Sequence, residues 1–231
     1  MAASARVVGI IGGMGPEATV ELMRRVVART PAQDDQDHVH LLVDNNPHIP
    51  SRIRHLIDRV GPDPTAELVR MAKGLEVMGA NSLAIPCNTA HAYADAIRRA
   101  VRIPLLDMVE LTAQHIAAKH PGARVGLLAS TAVTLTGLYH RAFAACHCQL
   151  VLPGEQAQLM EVIRDVKRGS VTVAAREQFA RIAASLARQS DLLLIACTEL
   201  SLLAAAVPEG TVVIDSMDVL TEAIVAFALE A

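Results

Sequence analysis

The chain has 231 residues, of which 52% are hydrophobic and only 2% aromatic, and its formal net charge is −3. This length provides for one large domain or two small ones around a sizeable core. The small charge gives no indication of a nucleic-acid partner or a polybasic membrane patch, and the apolar runs are shorter than the roughly 20 residues of a membrane span.

The amino-terminal segment and the cysteines bear on the expected compartment. MAASARVVGI has no basic region followed by a long apolar core, so it does not resemble a secretory signal. The four cysteines include no CxxC pair and are interpreted as reduced thiols. We therefore expect a cytoplasmic protein.

Short apolar runs alternate with longer segments of helical period along the chain, which predicts βαβ units around a mainly parallel sheet. The predicted strands cover residues 7–11, 40–44, 82–85, 105–108, 125–129, 150–152, 192–196 and 212–215. The predicted helices cover residues 17–28, 64–78, 90–100, 111–119, 135–145, 155–167, 173–188 and 217–229.

A weak internal repeat relates the two halves of the chain. VVGIIGGMGPEAT (7–19) aligns with RVGLLASTAVTLT (124–136), and LAIPCNTAH (83–91) aligns with LLIACTELS (193–201). Gly9 lies 78 residues before Cys87, and Gly126 lies 71 residues before Cys197. Repetition on this scale indicates duplicated structural units.

We therefore expect an α/β fold of two pseudo-symmetric Rossmann-like lobes, each a mainly parallel sheet flanked by helices, with the active site in the cleft between them. The amino-terminal lobe is predicted to comprise residues 1–104 and 215–231 and to carry Cys87. The carboxy-terminal lobe is predicted to comprise residues 105–214 and to carry Cys197.

Each of these cysteines follows an apolar strand and precedes a helix. This edge of a parallel sheet is where α/β proteins bind ligands, and a helix N-terminus stabilises both a thiolate and a bound carboxylate. Two such thiols on opposite faces of one carbon could remove a proton and return one on the other side. The pattern therefore favours proton exchange with inversion at a carbon centre.

Five motifs carry a resemblance to a known family. GIIGGMGPEAT, NNPHIPSR, PCNTAH, VKRG and ACTEL, in this order and at these spacings, resemble the aspartate/glutamate racemase family, and its aspartate racemases in particular, from Val8 to about Val219. The resemblance implies interconversion of L- and D-aspartate by two cysteines, without pyridoxal phosphate, metal or any other cofactor. It also implies a homodimer that binds a small amino-acid substrate. We expect neither a nucleic-acid partner nor a membrane partner.

Carried over by motif, the catalytic pair is Cys87 and Cys197, and the basic residues that anchor the substrate are Arg52 and Lys167. An Arg fork can hold one carboxylate of a dicarboxylic substrate, while a Lys acts as a point charge. The remaining predicted substrate contacts are Met14, Asn45, Asn88, Thr89, Thr198 and Glu199.

Several of these residues have a simpler structural interpretation. Asn45, Thr89, Thr198 and Glu199 could be helix caps or turn residues, and Asn88 and Thr89 could be caps and ligand contacts at once. Lys167 could complement the dipole of the helix that it ends. His91 could be a third acid or base, or a residue of the first helical turn. Cys146 and Cys148, in CHC, lack the partners of a zinc site.

Two alternative functions remain open on the sequence. The same fold could racemise glutamate or a broad range of amino acids, because one methylene changes affinity only modestly. The chain could also be a two-lobed dicarboxylate-binding protein without turnover. GIIGGMGPE does not fit G-x-G-x-x-G, so a dinucleotide site is not expected.

Overall fold

A computed structural model describes residues 6–144, 146–169 and 171–230 of the chain. The chain forms two compact units, one of Met1–Leu111 with Asp218–Ala231 and the other of Thr112–Met217. The division predicted from the sequence places these boundaries after residues 104 and 214. We call the two parts unit 1 and unit 2 and describe each by itself.

Unit 1 is built on a four-stranded parallel sheet with the strand order β2-β1-β3-β4. Its elements are β1 (Val8–Gly12), α1 (Pro16–Arg29), a 3₁₀ turn (Asp35–Asp37), β2 (Leu41–Asn45), α2 (Arg52–Leu56), α3 (Thr65–Val77), β3 (Ser82–Ala84), a 3₁₀ helix (Asn88–Tyr93), α4 (Ala94–Ala100), β4 (Leu105–Leu106), the start of α5 (Met108–Lys119) and most of α11 (Ser216–Leu229).

Unit 2 repeats this plan with a second parallel sheet, of strand order β6-β5-β7-β8. Its elements are the rest of α5, then β5 (Arg124–Ala129), α6 (Thr131–Leu135), α7 (Leu138–Ala144), β6 (Gln149–Val151), α8 (Gln156–Lys167), α9 (Val173–Ala187), β7 (Leu192–Ala196), α10 (Thr198–Ser201), a 3₁₀ turn (Ala204–Ala206), β8 (Val213–Asp215) and the first residues of α11.

The predicted α/β class with two parallel sheets is confirmed, and the internal repeat extends to individual contacts. Strands β1, β3 and β7 are buried along their whole length, as expected for parallel strands covered by helices on both faces. Gly9 in β1 and Gly126 in β5 occupy the same place. A Cβ on Gly9 would lie 3.0 Å from the side chain of Leu83, and one on Gly126 would lie 2.6 Å from that of Leu193.

Three predicted elements differ from the structure. The strand predicted over 105–108 ends at Leu106, because Asp107 Oδ1 accepts the N–H groups of Val109 and Glu110 and so begins α5 there. The helix predicted over 135–145 is replaced by α6 and α7, which Gly137 separates with a φ of 64°; its last residue, 145, lies outside the described residues. The helix predicted over 90–100 is 3₁₀ in its first part.

Within residues 6–144, 146–169 and 171–230, no helix is long and apolar enough to cross a bilayer.

An ion cluster joins α1 to α11 in unit 1. Glu21 accepts hydrogen bonds of 2.8 Å from the Nε atoms of both Arg24 and Arg25, and Arg25 Nη1 also lies 3.1 Å from Asp218 Oδ1. The hydrogen bond from Arg24, assisted by Arg25 and opposed by partial burial, lowers the pKa of Glu21 to about 2. Folding therefore gains stability from the ionised carboxylate at neutral pH, and loses it as the pH falls from about 4.5 toward 2.

Replacing Glu21 by Gln is expected to lower the free energy of unfolding by about 1 kcal/mol at neutral pH, a value reduced by solvent screening. Denaturant titrations at several pH values should show this difference shrinking by more than half near pH 3. Glu17→Gln, an exposed change on the same helix, is the matched control. A difference that stays constant with pH would contradict the assignment.

Candidate active site

Cys87 lies at the carboxyl end of β3, where the chain turns into a 3₁₀ helix. Its backbone is extended, with φ −156° and ψ 106°, and it occupies the N-cap position of Asn88–Tyr93. The residue is 7% exposed and belongs to a buried apolar cluster that also contains Met14, Ile49 and Tyr93. The thiol is therefore enclosed, at the edge of the sheet where the sequence predicts it.

His91 has a fixed structural role beneath this thiol. Its Nε2 accepts the backbone N–H of Met108 at 3.1 Å, so Nε2 carries no proton. Its Nδ1 then donates to the carbonyl oxygen of Cys87 at 3.0 Å. Both ring nitrogens make hydrogen bonds, so His91 links the backbone of the Cys87 turn to the start of α5. Of the two interpretations of His91, the structure favours a helix residue over an acid or base.

Met14 and Asn45 lie at the carboxyl ends of β1 and β2. Met14 is buried in the turn after β1, and Asn45 is the exposed last residue of β2, paired in register with Gly12. The turn after β1 is tightly packed. A Cβ on Gly13, whose φ is 91°, would lie 2.0 Å from the carbonyl oxygen of Asn46. Packing within unit 1 thus requires this glycine.

Arg52 is the first residue of α2, a short helix that is not among the predicted helices. Ser51 caps this helix by accepting the N–H of Arg54. The Nη1 of Arg52 donates to the carbonyl oxygens of Pro50 at 3.0 Å and Ile49 at 3.4 Å, whereas its buried Nε has no hydrogen-bond partner. The loop holds the guanidinium in place and leaves one buried donor available.

Cys197 occupies the equivalent place in unit 2. It follows β7, is the N-cap of α10 and is 7% exposed. Its Sγ donates a hydrogen bond to Glu199 Oε2 at 3.0 Å, and Glu199 Oε1 forms a close ion pair with Lys167 Nζ. One carboxylate of unit 2 thus contacts both the Cys197 sulfur and the Lys167 ammonium.

These contacts change the interpretation of several predicted residues. Lys167 ends α8, but its ammonium contacts the buried Glu199. Cys87 and Cys197 occupy the N-cap positions, so Asn88, Thr89, Thr198 and Glu199 lie in the first turn of the helices that follow. Thr198 and Asn88 are each 2% exposed, and Thr89 is half-buried.

The two cysteine turns have the same N-cap arrangement but differ in the polar residues that follow the cysteine. The residue two positions after the cysteine is Thr89 in unit 1 and Glu199 in unit 2. The residue four positions after the cysteine is His91 in unit 1 and Ser201 in unit 2. Each makes a hydrogen bond to a residue near the start of the next long helix. Ser201 Oγ donates at 2.8 Å to Asp215 Oδ1, which also accepts the N–H of Met217.

The other two cysteines are placed away from these turns along the chain. The Sγ of Cys146 contacts the carbonyl oxygen of Ala142 at 3.6 Å, and the Sγ of Cys148 contacts that of His120 at 3.8 Å. Nowhere in the described part of the chain do three or more His, Cys, Asp or Glu side chains form a group suited to a metal ion. The CHC segment is thus a packing feature.

Tyr93 is a residue that the sequence analysis did not select. It ends the 3₁₀ helix that Cys87 begins, and its buried hydroxyl has no hydrogen-bond partner. Its ring lies 6.1 Å from that of His55 on α2. A tyrosine among apolar helix residues has no motif around it, so nothing in the sequence marked it.

Comparisons with known proteins extend over nearly the whole chain. The model of the Asp/Glu/hydantoin racemase family matches residues 11–224. The broad-specificity amino-acid racemase RacX of Bacillus subtilis (strain 168) is 24% identical over 214 residues, which are 90% of this chain and 92% of RacX.

Solved structures show the same fold. Picrophilus torridus aspartate racemase is 32% identical and has a TM-score of 0.88, with 96% of this chain and 94% of that chain covered. The glutamate racemase isoform RacE1 from Bacillus anthracis is 16% identical and has a TM-score of 0.68, with 95% of this chain and 80% of that chain covered. Each unit of the present chain thus carries its thiol within a fold that racemases share.

Proposed function

Because the chain belongs to the Asp/Glu/hydantoin racemase family, we propose that it is a cofactor-independent amino-acid racemase whose substrate is aspartate. The choice of aspartate is supported by the 32% identity to Picrophilus torridus aspartate racemase. The choice of mechanism is supported by one observation above all: a buried thiol occupies the same N-cap position after the third strand of each sheet.

In the proposed mechanism, Cys87 and Cys197 act on opposite faces of the α-carbon. The thiolate on one face removes the α-proton, and the electron pair passes into the α-carboxylate. The thiol on the other face then gives its proton to the α-carbon, which is thereby inverted. One proton leaves the substrate and one enters it, so the two cysteines exchange protonation states.

The α-proton is far less acidic than a thiol, so the carbanion needs strong electrostatic stabilisation. Arg52 is suited to this task because its buried Nε–H has no partner in the protein. Lys167 is ion-paired with Glu199, so a substrate carboxylate that binds Lys167 must share the ammonium group with Glu199. Enclosure of both thiols limits water at the reacting centre.

The proposal is tested by incubating L-aspartate with the purified, chelator-treated protein in deuterium oxide. We expect D-aspartate that carries deuterium at the α-carbon, while recovered L-aspartate retains its proton early in the reaction. This asymmetry distinguishes two acid/base groups from a single one, which would label both enantiomers alike. The kcat/KM for glutamate should be at least about tenfold lower, since a misfitting methylene costs about 1–3 kcal/mol.

Other outcomes would replace the proposal. Equal rates on glutamate and aspartate would identify a broad-specificity racemase, as the similarity to RacX also allows. Tight binding of aspartate without any α-proton exchange would identify a dicarboxylate-binding protein.

A further inference from the structure

Two buried donors of unit 1 make no hydrogen bond to any described residue. Among the described residues, four buried side-chain polar atoms lack a partner, and two of them are Tyr93 Oη, in the buried cluster that contains Cys87, and Arg52 Nε, at the start of α2. Buried polar groups in folded proteins are nearly always bonded, because leaving one unpaired costs free energy. Two unpaired donors in one unit suggest a ligand that supplies hydrogen-bond acceptors.

The packing of Tyr93 brings it to the helix that Arg52 begins. Tyr93 is 8% exposed and shares a buried cluster with Met14, Ile49 and Cys87. Its ring packs at 6.1 Å, tilted by 48°, on the ring of His55, which lies one turn along α2 from Arg52. The tyrosine therefore connects the cysteine turn to the arginine helix.

Electrostatics keep the Tyr93 hydroxyl protonated. Burial raises the pKa of Tyr93 to about 12, and the nearby Asp63 and Cys87 add to this rise, while the Arg52 guanidinium opposes it. These influences also place Arg52 and Cys87 within electrostatic range of the phenol. At neutral pH the group is thus a neutral O–H donor within electrostatic range of a cationic N–H donor. An anion with two acceptor oxygens fits this combination.

We propose that Tyr93 is a substrate-binding residue, whose hydroxyl donates a hydrogen bond to the carboxylate that Arg52 binds. The inference rests on the proposed function for the identity of the substrate. Its test requires only that aspartate binds, not that it is racemised. It assigns two donors from separate helices to one carboxylate, so that both buried groups become paired when the substrate enters.

The experiment compares the parent protein with Tyr93→Phe, which removes only the unpaired hydroxyl. A hydrogen bond to a charged group is strong enough that KM for aspartate should rise about tenfold to a hundredfold, while kcat changes less than about threefold. The thermal shift produced by a fixed concentration of aspartate should shrink accordingly. Because the hydroxyl is unpaired in the empty protein, the melting temperature without aspartate should stay the same or rise.

The matched control is Tyr139→Phe, the same change at the other tyrosine of the chain, which packs against Phe143 in unit 2. It should leave the KM for aspartate unchanged. The proposal is overturned if Tyr93→Phe keeps the parental KM and thermal shift, or if it lowers the melting temperature of the empty protein more than Tyr139→Phe does.

Failure of the proposed function gives a different pattern. A parent that binds aspartate without racemising it, with binding weakened by Tyr93→Phe, would support the role of Tyr93 and contradict the racemase proposal. A parent that binds none of aspartate, glutamate and succinate would overturn both.

Discussion

Replacing Cys87 or Cys197 by alanine is expected to slow aspartate racemisation at least about a hundredfold in both directions, because a positioned acid or base contributes about 10²–10⁴ to a rate. Each direction uses both sulfurs, one as thiolate and one as thiol, so neither variant can retain one direction at the parental rate. The measurement is the change in optical rotation from either pure enantiomer.

The chain contains its own controls for this experiment. Cys146→Ala and Cys148→Ala remove thiols whose sulfur atoms contact backbone carbonyl oxygens at 3.6 and 3.8 Å, and they should retain near-parental rates. Both active-site thiols are enclosed, so circular dichroism must verify that each variant is folded. A folded Cys87→Ala or Cys197→Ala protein with the parental rate would refute the two-base scheme.

Replacing Glu199 by Gln is expected to raise the rate at which iodoacetamide alkylates Cys197 by at least about tenfold at fixed neutral pH. The change replaces the negatively charged acceptor of the Cys197 Sγ hydrogen bond by a neutral amide and keeps the Lys167 ammonium. Removal of a neighbouring negative charge favours ionisation of a thiol, because like charges disfavour the thiolate.

Lys167→Met is expected to have the opposite effect, since an uncompensated Glu199 carboxylate holds the proton on Cys197 more firmly. Alkylation at Cys197 alone is followed by mass spectrometry of its peptide, with the exposed change Glu209→Gln as control. If both variants shift the rate in the same direction, Glu199 does not control the protonation state of Cys197.

Much of the fold could be predicted from the sequence because apolar runs report strands directly. The strand predicted over 192–196 coincides with β7, which is bounded by Asp191 and Cys197. Where the strand predicted over 105–108 was wrong, a side-chain contact had decided the boundary. Asp107 begins α5 by accepting two backbone N–H groups, and that choice cannot be read from hydrophobic periodicity.

The equivalent positions of Cys87 and Cys197 after their strands could be predicted because the repeat aligned them, but the contacts of their neighbours could not. Glu199 and Lys167 lie 32 residues apart, and only the fold of unit 2 shows that they are bonded. The importance of Tyr93 depends on the absence of a hydrogen bond, and a sequence contains no signal for an unpaired hydroxyl.

Two residues after the cysteine, unit 2 has the carboxylate of Glu199, bonded to Cys197, where unit 1 has the hydroxyl side chain of Thr89, and this inequality has a kinetic consequence. Enantiomers have equal free energies in water, so the Haldane relation forces kcat/KM to be the same for L- and D-aspartate. However unequal the two thiols are, the enzyme cannot favour one enantiomer at equilibrium. The inequality can appear only as paired changes, in which the direction with the higher kcat also has the proportionally higher KM.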